Sequence, residues 1–207
     1  GTTALRGVTL EVRSGELVGV AGIAGNGQRE LYEVALGLRP VSAGQVVLGG
    51  SPIDRKLVRR AIAHGAVGVP EDPITDAVVP GLSVAEHVAL DDLARFRKGV
   101  GIDWPAVRER LAELDERTGL ALAPGDRPVA DLSGGNIQRV MLARALGTER
   151  SLVVAAYPSR GLDIAKTRRT QELLLEHRAA GAGVLLISED LDELLELSDR
   201  IVVLNAG

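Results

Sequence analysis

The chain has 207 residues, 45% hydrophobic and 25% charged, which is enough for a sizeable core and ordinary for a globular domain. Its formal net charge of −4 argues against a bulk nucleic-acid binder, and the absence of cysteine excludes disulfides and cysteine-bound metals. No stretch approaches the roughly 18 consecutive apolar residues of a membrane-spanning helix, so we expect any membrane role to be peripheral.

The first third of the sequence predicts strands and helices joined by glycine-rich turns. Residues 15–22 (GELVGVAG) form a short apolar run bounded by glycine, which is typical of a buried strand. Residues 28–37 (QRELYEVALG) have helical apolar spacing, and Gly37 is a plausible C-cap. Further elements are predicted as strands at 7–12, 44–50 and 66–69 and as a helix at 54–65.

The middle of the chain, roughly residues 83–147, is predicted to be all-helical and to form an inserted subdomain. Ser83 and Glu86 have the spacing of a capping box, and Asp103 is the expected N-cap of the next helix.

The last third alternates strands with helices. Strands are predicted at 151–156, 183–188 and 200–204, and helices at 163–180 and 190–197. The acidic run at 189–196 (EDLDELLE) is interpreted as one solvated helix face. Strand–helix alternation predicts an α/β fold with a mainly parallel sheet. Because the chain starts and stops abruptly on strand-like patterns, we expect a fragment of a longer polypeptide.

Residues 22–29 (GIAGNGQR) have the glycine spacing of a loop that cradles phosphate between a strand and a helix. The two positions that should hold Lys and Ser/Thr are Gln28 and Arg29. Glutamine brings no charge, and arginine cannot ligate a cation. The candidate nucleotide-binding residues of this loop are Gly22, Gly25, Asn26, Gly27, Gln28 and Arg29.

Residues 132–139 (LSGGNIQR) stand immediately before a helical run. Ser133 is predicted to cap that helix, and its exposed N-terminus would offer N–H groups to a phosphate. The simpler interpretation is a serine-capped helix after a glycine turn. Gln138, together with the segment YPSRGLD at 157–163, favours the functional interpretation.

These motifs together resemble the ABC transporter ATPases, in the form typical of importers of simple sugars and nucleosides. LSGGNIQ resembles the family's signature motif, and GIAGNGQR stands where its Walker A loop belongs. The Q-loop, the Walker B strand with the D-loop, and the switch loop correspond to residues 67–72, 151–164 and 184–204. The resemblance implies one P-loop ATPase domain over 1–207. Its mainly parallel sheet would carry a small antiparallel β region and a helical subdomain at about 83–147.

The departures from the family pattern imply a site that has lost its chemistry. Gln28 and Arg29 replace the Walker A Lys and the Ser/Thr that holds Mg²⁺. Four catalytic positions are also changed, at Ala156 (Walker B Asp), Tyr157 (catalytic Glu), Glu189 (switch His) and Glu71 (Q-loop Gln). We expect no intact catalytic residue, no Mg²⁺ and no useful ATP hydrolysis at this site, while weak nucleotide binding stays open.

The intact signature motif implies a shared site, because ABC ATPases pair head to tail. By this resemblance, Asp163 belongs to the D-loop, and the ATP and Mg²⁺ site of a paired half is completed by Ser133, Gly134, Gly135, Asn136 and Gln138. Such a pattern resembles the second, C-terminal half of two-half importer ATPases. The expected partners are the other ATPase half, transmembrane permease subunits and, indirectly, a substrate-binding protein. The expected location is the cytoplasmic face of the cell membrane.

Two other functions compete with this one. A soluble ABC protein acting on ribosomes or nucleic acid would share the signature motif, but the acidic charge and the importer-like segment 67–90 count against it. A stand-alone P-loop kinase would need a working Lys and a Mg²⁺ ligand. The three histidines, His64, His87 and His177, show no metal-binding spacing and are interpreted as structural.

Overall fold

The computed structural model describes residues 5–53 and 61–207. Its strands are β1 Leu17–Ala21, β2 Val46–Leu48, β3 Ser51–Ile53, β4 Ala66–Val69, β5 Arg97–Lys98, β6 Gly101–Ile102, β7 Leu152–Ala156, β8 Gly183–Ile187 and β9 Arg200–Val203. Its α-helices are α1 Gln28–Ala35, α2 Pro73–Asp76, α3 Val84–Asp91, α4 Trp104–Thr118, α5 Gly134–Leu146, α6 Ile164–Ala179 and α7 Leu191–Leu197, with a 3₁₀ turn at Val129–Asp131.

The chain divides into two compact units. The sheet unit comprises Gly1–Glu71, Glu149–Pro158 and Gln171–Gly207. The helical unit comprises Asp72–Thr148 and Ser159–Thr170, so it begins earlier than the predicted subdomain and adds a second segment.

Five strands of the sheet unit form a parallel sheet in the order β4-β7-β8-β1-β9. Every residue of β8 is buried, which explains the unbroken apolar run in its sequence. Because parallel strands point the same way, the loops that follow β1, β7 and β8 emerge at one edge of the sheet. That edge therefore carries the glycine-rich loop, Tyr157 and Glu189. The predicted α/β fold with a mainly parallel sheet is confirmed, and β2 and β3 pair antiparallel as a small second sheet.

The core of the sheet unit is built from apolar side chains of the central strands and of α1. Val18, Val20 and Ile187 are completely buried, and Leu31 of α1 is buried in the same cluster. Burying one such side chain contributes about 1.5–3 kcal/mol, so this cluster anchors the strand that leads into the glycine-rich loop.

The helical unit has its own core, around side chains such as Val84, Val107 and Val140. The predicted capping box at the start of α3 is present: Ser83 N–H donates to Glu86 Oε2 at 2.7 Å, and Glu86 N–H donates to Ser83 Oγ at 3.3 Å. Asp103 likewise caps α4, as predicted, by accepting from the N–H of Ala106.

Residues 7–12 contain no strand, so the strand predicted there is wrong. Leu10 and Val12 are half-buried against the core of the sheet unit, whereas Val8 is exposed. Leu10 and Val12 therefore pack on the core without hydrogen bonding of this segment into a sheet.

The stretch 83–147 is also not entirely helical, because β5 and β6 form a short antiparallel ladder inside it. Strands of two residues are too short to produce a periodic signal, and the same shortness explains why β3 and α2 were not predicted. Of the helix predicted at 54–65, residues 54–60 lie outside the described part of the chain. Among the helices that are described, none is both long enough and apolar enough to cross a membrane.

Candidate functional site

The glycine-rich loop follows β1 and ends where α1 begins. Gly27 is the N-cap of α1 with a left-handed φ of 109°, a conformation that glycine adopts without strain. A Cβ atom at Gly22 would lie 2.6 Å from the carbonyl oxygen of Leu204 and 2.7 Å from Gln28 Nε2. Gly27 is therefore required by its backbone conformation, and Gly22 by the close packing of the loop on itself and on the chain beyond β9.

The Gln28 side chain folds back into the loop. Its Nε2 donates to the carbonyl oxygen of Ile23 at 2.9 Å, and its Oε1 accepts from the backbone N–H of Asn26 at 2.9 Å. The residue is only 4% exposed. The neutral amide thus uses a backbone N–H of the same glycine-rich loop that would otherwise be available to a phosphate.

Asn26 connects the loop to residues beyond β9. Its Nδ2 donates to the carbonyl oxygen of Ile23 at 2.8 Å, and its Oδ1 accepts from the N–H of Ala206 at 2.8 Å. The N–H of Gly207 donates to the Asn26 carbonyl oxygen at 3.1 Å. Several polar groups of the loop are therefore satisfied inside the protein.

Arg29 points along α1. Its Nε donates to Glu33 one turn further on, at 3.0 Å, and Glu33 also accepts from Arg39. Partial burial by itself would raise the pKa of Glu33, but the hydrogen bonds from Arg39 and Arg29 outweigh it and lower this pKa below its usual value. Arg29 thus has an anionic partner within its own helix.

Tyr157 directly follows β7. It adopts a left-handed φ of 50°, which is uncommon for a residue with a bulky side chain, and its N–H donates to the carbonyl oxygen of Ile187 at 2.8 Å. The side chain is 6% exposed and belongs to the core cluster of the sheet unit, together with Ala156. The two positions where the family resemblance places an Asp and a Glu therefore hold buried side chains without a carboxylate.

Glu189 is exposed after β8, and Glu71 is half-buried after β4. Next to Glu189 lies a buried polar network that the sequence did not indicate. Ser188 Oγ donates to Glu193 Oε2 at 2.7 Å, and Gln171 Nε2 donates to Glu193 Oε1 at 3.3 Å. The acidic run 189–196 is therefore not one solvated face, because Glu193 turns inward, next to the buried Leu194, and finds partners there.

The residues of this loop do not match the needs of a triphosphate with Mg²⁺. Gln28 supplies no positive charge, and Arg29 and Ala156 supply no oxygen ligand. Within residues 5–53 and 61–207, no group of three or more His, Asp or Glu side chains is placed to hold a metal ion. His87 is instead bonded to backbone groups of Ser83 and Val79.

The signature-like loop begins α5 in the helical unit. Ser133 is the N-cap, and its Oγ accepts from the N–H of Asn136 at 3.4 Å, as predicted. A Cβ atom at Gly135 would lie 2.7 Å from the carbonyl oxygen of Gly161, whereas one at Gly134 would meet nothing within 4 Å. The structure therefore packs this loop directly against the loop that carries Asp163.

The remaining predicted residues of this site differ in exposure. Ser133 and Gly134 are exposed at the start of α5, while Gln138 is 3% exposed and lies inside the packed face of that helix. Asp163 is exposed, and its Oδ1 accepts from the N–H of Lys166 at 2.9 Å at the start of α6. The groups available to an external phosphate are thus those of the first turn of α5.

Comparisons with known proteins place this geometry in a family. The ABC transporter family model matches residues 5–156, which is more than half of the chain. The chain is 42% identical over its whole length to the glucose import ATP-binding protein TsgD13 of Haloferax volcanii, covering 38% of that protein. It is 35% identical over its whole length to the nucleoside import ATP-binding protein NupA of Lactococcus lactis, covering 41% of that protein.

The chain is also 39% identical, over 99% of its length, to the ribose import ATP-binding protein RbsA of Pseudomonas putida. It spans about two fifths of the length of these curated relatives.

Solved structures support the same fold. A dimeric ATP-binding cassette, MJ0796, solved in a post-hydrolysis state with ADP and Pi, is similar with a TM-score of 0.84 and 23% identity, over 98% of this chain and 87% of that one. An ATP-binding subunit of an ABC transporter is similar with a TM-score of 0.79 and 26% identity, over 97% and 79% of the two chains. By its sequence match, its parallel sheet and its motif-bearing loops, the chain belongs to the ABC transporter family.

Proposed function

We propose that this chain is a nucleotide-binding half of an importer for simple sugars or nucleosides. Its own Walker site is silent, and its signature loop completes the ATP site of a paired half. The observation that carries the proposal is a contrast between two loops. Gln28 fills the glycine-rich loop with a neutral amide, whereas the first turn of α5 is exposed and capped by Ser133.

The magnitude of the changes supports a silent Walker site. Losing one preorganised electrostatic contact typically costs about 2.7–4 kcal/mol of transition-state stabilisation. By the family resemblance, the cation, two Mg²⁺-associated groups, the general base and the switch group are replaced, at Gln28, Arg29, Ala156, Tyr157 and Glu189. Although such losses are not additive, any one of them would slow hydrolysis by orders of magnitude.

The signature loop supplies what the partner site needs. The N-terminus of α5 combines the backbone N–H groups of its first turn, the positive end of a helix dipole and the Ser133 hydroxyl. These groups would bind the terminal phosphate of ATP held, with Mg²⁺, by the paired half. Asp163 would lie beside that phosphate as part of the D-loop, because its loop packs on Gly135.

The names of the relatives support the proposed substrate class. The matched proteins are named for the import of glucose, nucleosides and ribose, and the match covers about two fifths of each, as expected for one of two ATPase halves. The resemblance to the second, C-terminal half rests on the degenerate positions. We infer that permease subunits at the cytoplasmic face of the membrane are its transport partners, with a substrate-binding protein acting through them.

The proposal is tested by measuring MgATP binding and turnover of the chain alone and together with its paired half. We expect at most weak binding and no turnover by the chain alone, at concentrations that saturate a hydrolysing cassette used as a control. Turnover should appear with the paired half and should fall at least about tenfold in Ser133→Ala. Sustained hydrolysis by the chain alone would refute the silent Walker site.

A further inference from the structure

The end of α4 and the turn that follows it, residues 117–121, are bound by cationic side chains from two other helices. Helix α5 contributes Arg139. Its Nη1 donates to the carbonyl oxygens of Leu120 at 3.0 Å and Ala121 at 2.8 Å, and its Nη2 donates to Asn136 Oδ1. One guanidinium therefore connects the signature loop to this turn.

Helix α6 contributes two more cations to the same turn. Lys166 Nζ donates to the carbonyl oxygen of Gly119 at 2.9 Å. Arg169 donates through Nε to the carbonyl oxygen of Thr118 at 2.8 Å and through Nη2 to that of Arg117 at 3.2 Å. All five carbonyl groups of residues 117–121 thus accept from a cation on α5 or α6.

The turn is built to keep this arrangement. Gly119 and Ala121 both have left-handed φ angles, of 63° and 59°, and this conformation is strained for alanine. Leu120 between them is completely buried, and the N–H of Leu122 donates to Asp115 Oδ1 at 2.9 Å. The exposed carbonyls of a helix C-terminus also attract cations through the helix dipole. The turn therefore has one well-defined conformation, and its carbonyl groups bind all three cations favourably.

The two helices that meet at this turn carry the two motifs of the partner-facing site. Asn136 lies in the signature loop at the start of α5, and Asp163 lies immediately before α6. The loops touch where Gly135 approaches the Gly161 carbonyl oxygen, with no room for a side chain. A contact this close requires that the two helices be held in a fixed register.

We propose that the turn 117–121 is a positioning element that fixes the signature loop against the D-loop, with Arg139 as the positioning residue for Asn136. Arg139 reaches the turn and Asn136 together because its guanidinium presents several N–H donors in a rigid fork. Lys166 and Arg169 fix the second helix to the same carbonyls. The consequence of this element for catalysis rests on the proposed role of the signature loop in a paired site.

The test measures hydrogen exchange in the signature loop after substitutions in α6. Lys166→Met and Arg169→Gln remove cations from α6, and hydrogen exchange is followed in peptides that cover residues 132–137 on α5. We expect exchange there to accelerate about tenfold in the double variant, because hydrogen bonds to charged groups control local opening. Arg168→Gln is the matched control, since Arg168 is exposed on the same helix, and it should leave the exchange unchanged.

Arg139 is tested by the variants Arg139→Lys and Arg139→Gln. Lysine keeps the positive charge and most of the aliphatic side chain but lacks the planar set of N–H donors. We therefore expect both variants to accelerate exchange at residues 132–137, and Arg139→Gln to accelerate it more. Asn136→Ala removes the side-chain oxygen that accepts from Arg139, and it replaces Arg139→Gln in this test if that variant fails to fold. Exchange at 132–137 that is unchanged in the α6 double variant and in Arg139→Lys would overturn the proposal.

A turnover measurement with the paired half separates this proposal from the proposed function. We expect Arg139→Lys to lower kcat about tenfold while KM for ATP changes less than about twofold, as for an interaction that matters mainly in the transition state. If Ser133→Ala leaves turnover intact, the shared site is wrong, and the exchange data still decide the positioning element. If Ser133→Ala abolishes turnover while Arg139→Lys behaves as wild type, the positioning role is wrong and the shared site stands.

Discussion

At the position where the family resemblance places a charged amine, Gln28 has an amide that can both donate and accept a hydrogen bond. Both functions are used inside the loop, toward Ile23 and Asn26. The sequence predicts the loss of charge directly. It does not predict that the amide fills the loop, because the direction of a buried side chain depends on backbone groups that only the folded loop brings together.

We expect Gln28→Ala to destabilise the protein by about 1–3 kcal/mol, since it removes a buried side chain and leaves the N–H of Asn26 without its acceptor, while the Ile23 carbonyl oxygen keeps Asn26 Nδ2 as a donor. The neighbouring substitution Arg29→Ala is the control. It removes an exposed arginine from an i,i+4 ion pair with Glu33, which keeps Arg39 as a partner, and should cost less, about 0.5 kcal/mol. Urea unfolding of both variants measures the difference, and equal losses would contradict a structural role for the Gln28 amide.

His87 is a second residue whose environment has a measurable effect, because it shifts the pKa of the imidazole ring. It is completely buried, with Nδ1 2.8 Å from the carbonyl oxygen of Ser83 and Nε2 accepting from the N–H of Val79 at 3.0 Å. Burial lowers the pKa of His87 below its usual 6.5, and nearby Arg144 acts in the same direction. The contact with Ser83 O opposes the shift, as do the charges of Glu86 and Asp91.

Because the pKa of His87 is lower in the folded chain, the unfolded chain binds this proton more readily. The stability that the neutral ring contributes is therefore complete above about pH 6.5 and falls as the pH drops below that value, by at most about 1.4 kcal/mol per pH unit. Urea unfolding at pH 7.5 and 5.5 measures the loss. We expect His87→Gln to be less stable at pH 7.5 but to lose less on acidification, and an unchanged pH dependence would argue against titration of His87.

At the scale of elements, helix α5 shows how two adjacent glycines differ. Gly135 lies against the Gly161 carbonyl oxygen, while the space beside Gly134 is open. Both occupy the first turn of a helix, so the sequence predicts the same propensity for each. The two positions differ only in the packing of the neighbouring loop, which contacts Gly135 and leaves space beside Gly134.

We expect Gly135→Ala to destabilise the protein by about 1–3 kcal/mol, because the new methyl group would displace a backbone carbonyl. Gly134→Ala has room and gains helix propensity, so it should be neutral or stabilising by up to about 1 kcal/mol. Thermal unfolding measures the stability of both variants, which carry the same Gly→Ala substitution at adjacent positions. A loss of stability in Gly134→Ala as large as in Gly135→Ala would show that the first turn, rather than the close approach, sets the cost.

The elements that the sequence predicts well are those with many residues or with strong caps. The fully buried β8 and the long helices α4 and α6 have apolar patterns that tertiary contacts reinforce. The misses are short or are decided by partners distant in sequence. Residues 7–12 have the alternation of a strand but no ladder, and β5 and β6 are two-residue strands within a helical stretch.

At the scale of the whole molecule, the fold follows from the order of elements. Strand–helix alternation leaves a parallel sheet as the natural solution, and the motif spacing then places the glycine-rich loop and the residues after β7 and β8 at one sheet edge. The identity of the residues at that edge was readable from the sequence. The contacts near this edge could not be predicted, because they depend on residues that are distant in sequence. In the buried network, for example, Gln171 of α6 donates to Glu193 of α7.

The net charge leads to a further whole-molecule prediction. With 24 basic and 28 acidic side chains, the chain should not bind RNA or DNA through their phosphates. Fluorescence anisotropy with labelled RNA and DNA at about 50 mM salt should show no saturable binding, while a basic RNA-binding protein measured in parallel provides the positive control. Binding that weakens as salt is raised would instead favour the ribosome- or nucleic-acid-associated alternative.

Tyr157 also limits which side chains the position after β7 can accept. Its ring is part of the same packed cluster as Val20, Leu31 and Ile187, and its backbone is left-handed. A Tyr157→Glu reversion would replace that ring by a carboxylate in an apolar surrounding, where a charge is costly unless it is paired. The substitution would therefore lower stability, and it would leave Gln28, Arg29 and Ala156 unchanged. Packing in the core thus opposes the introduction of a carboxylate directly after β7.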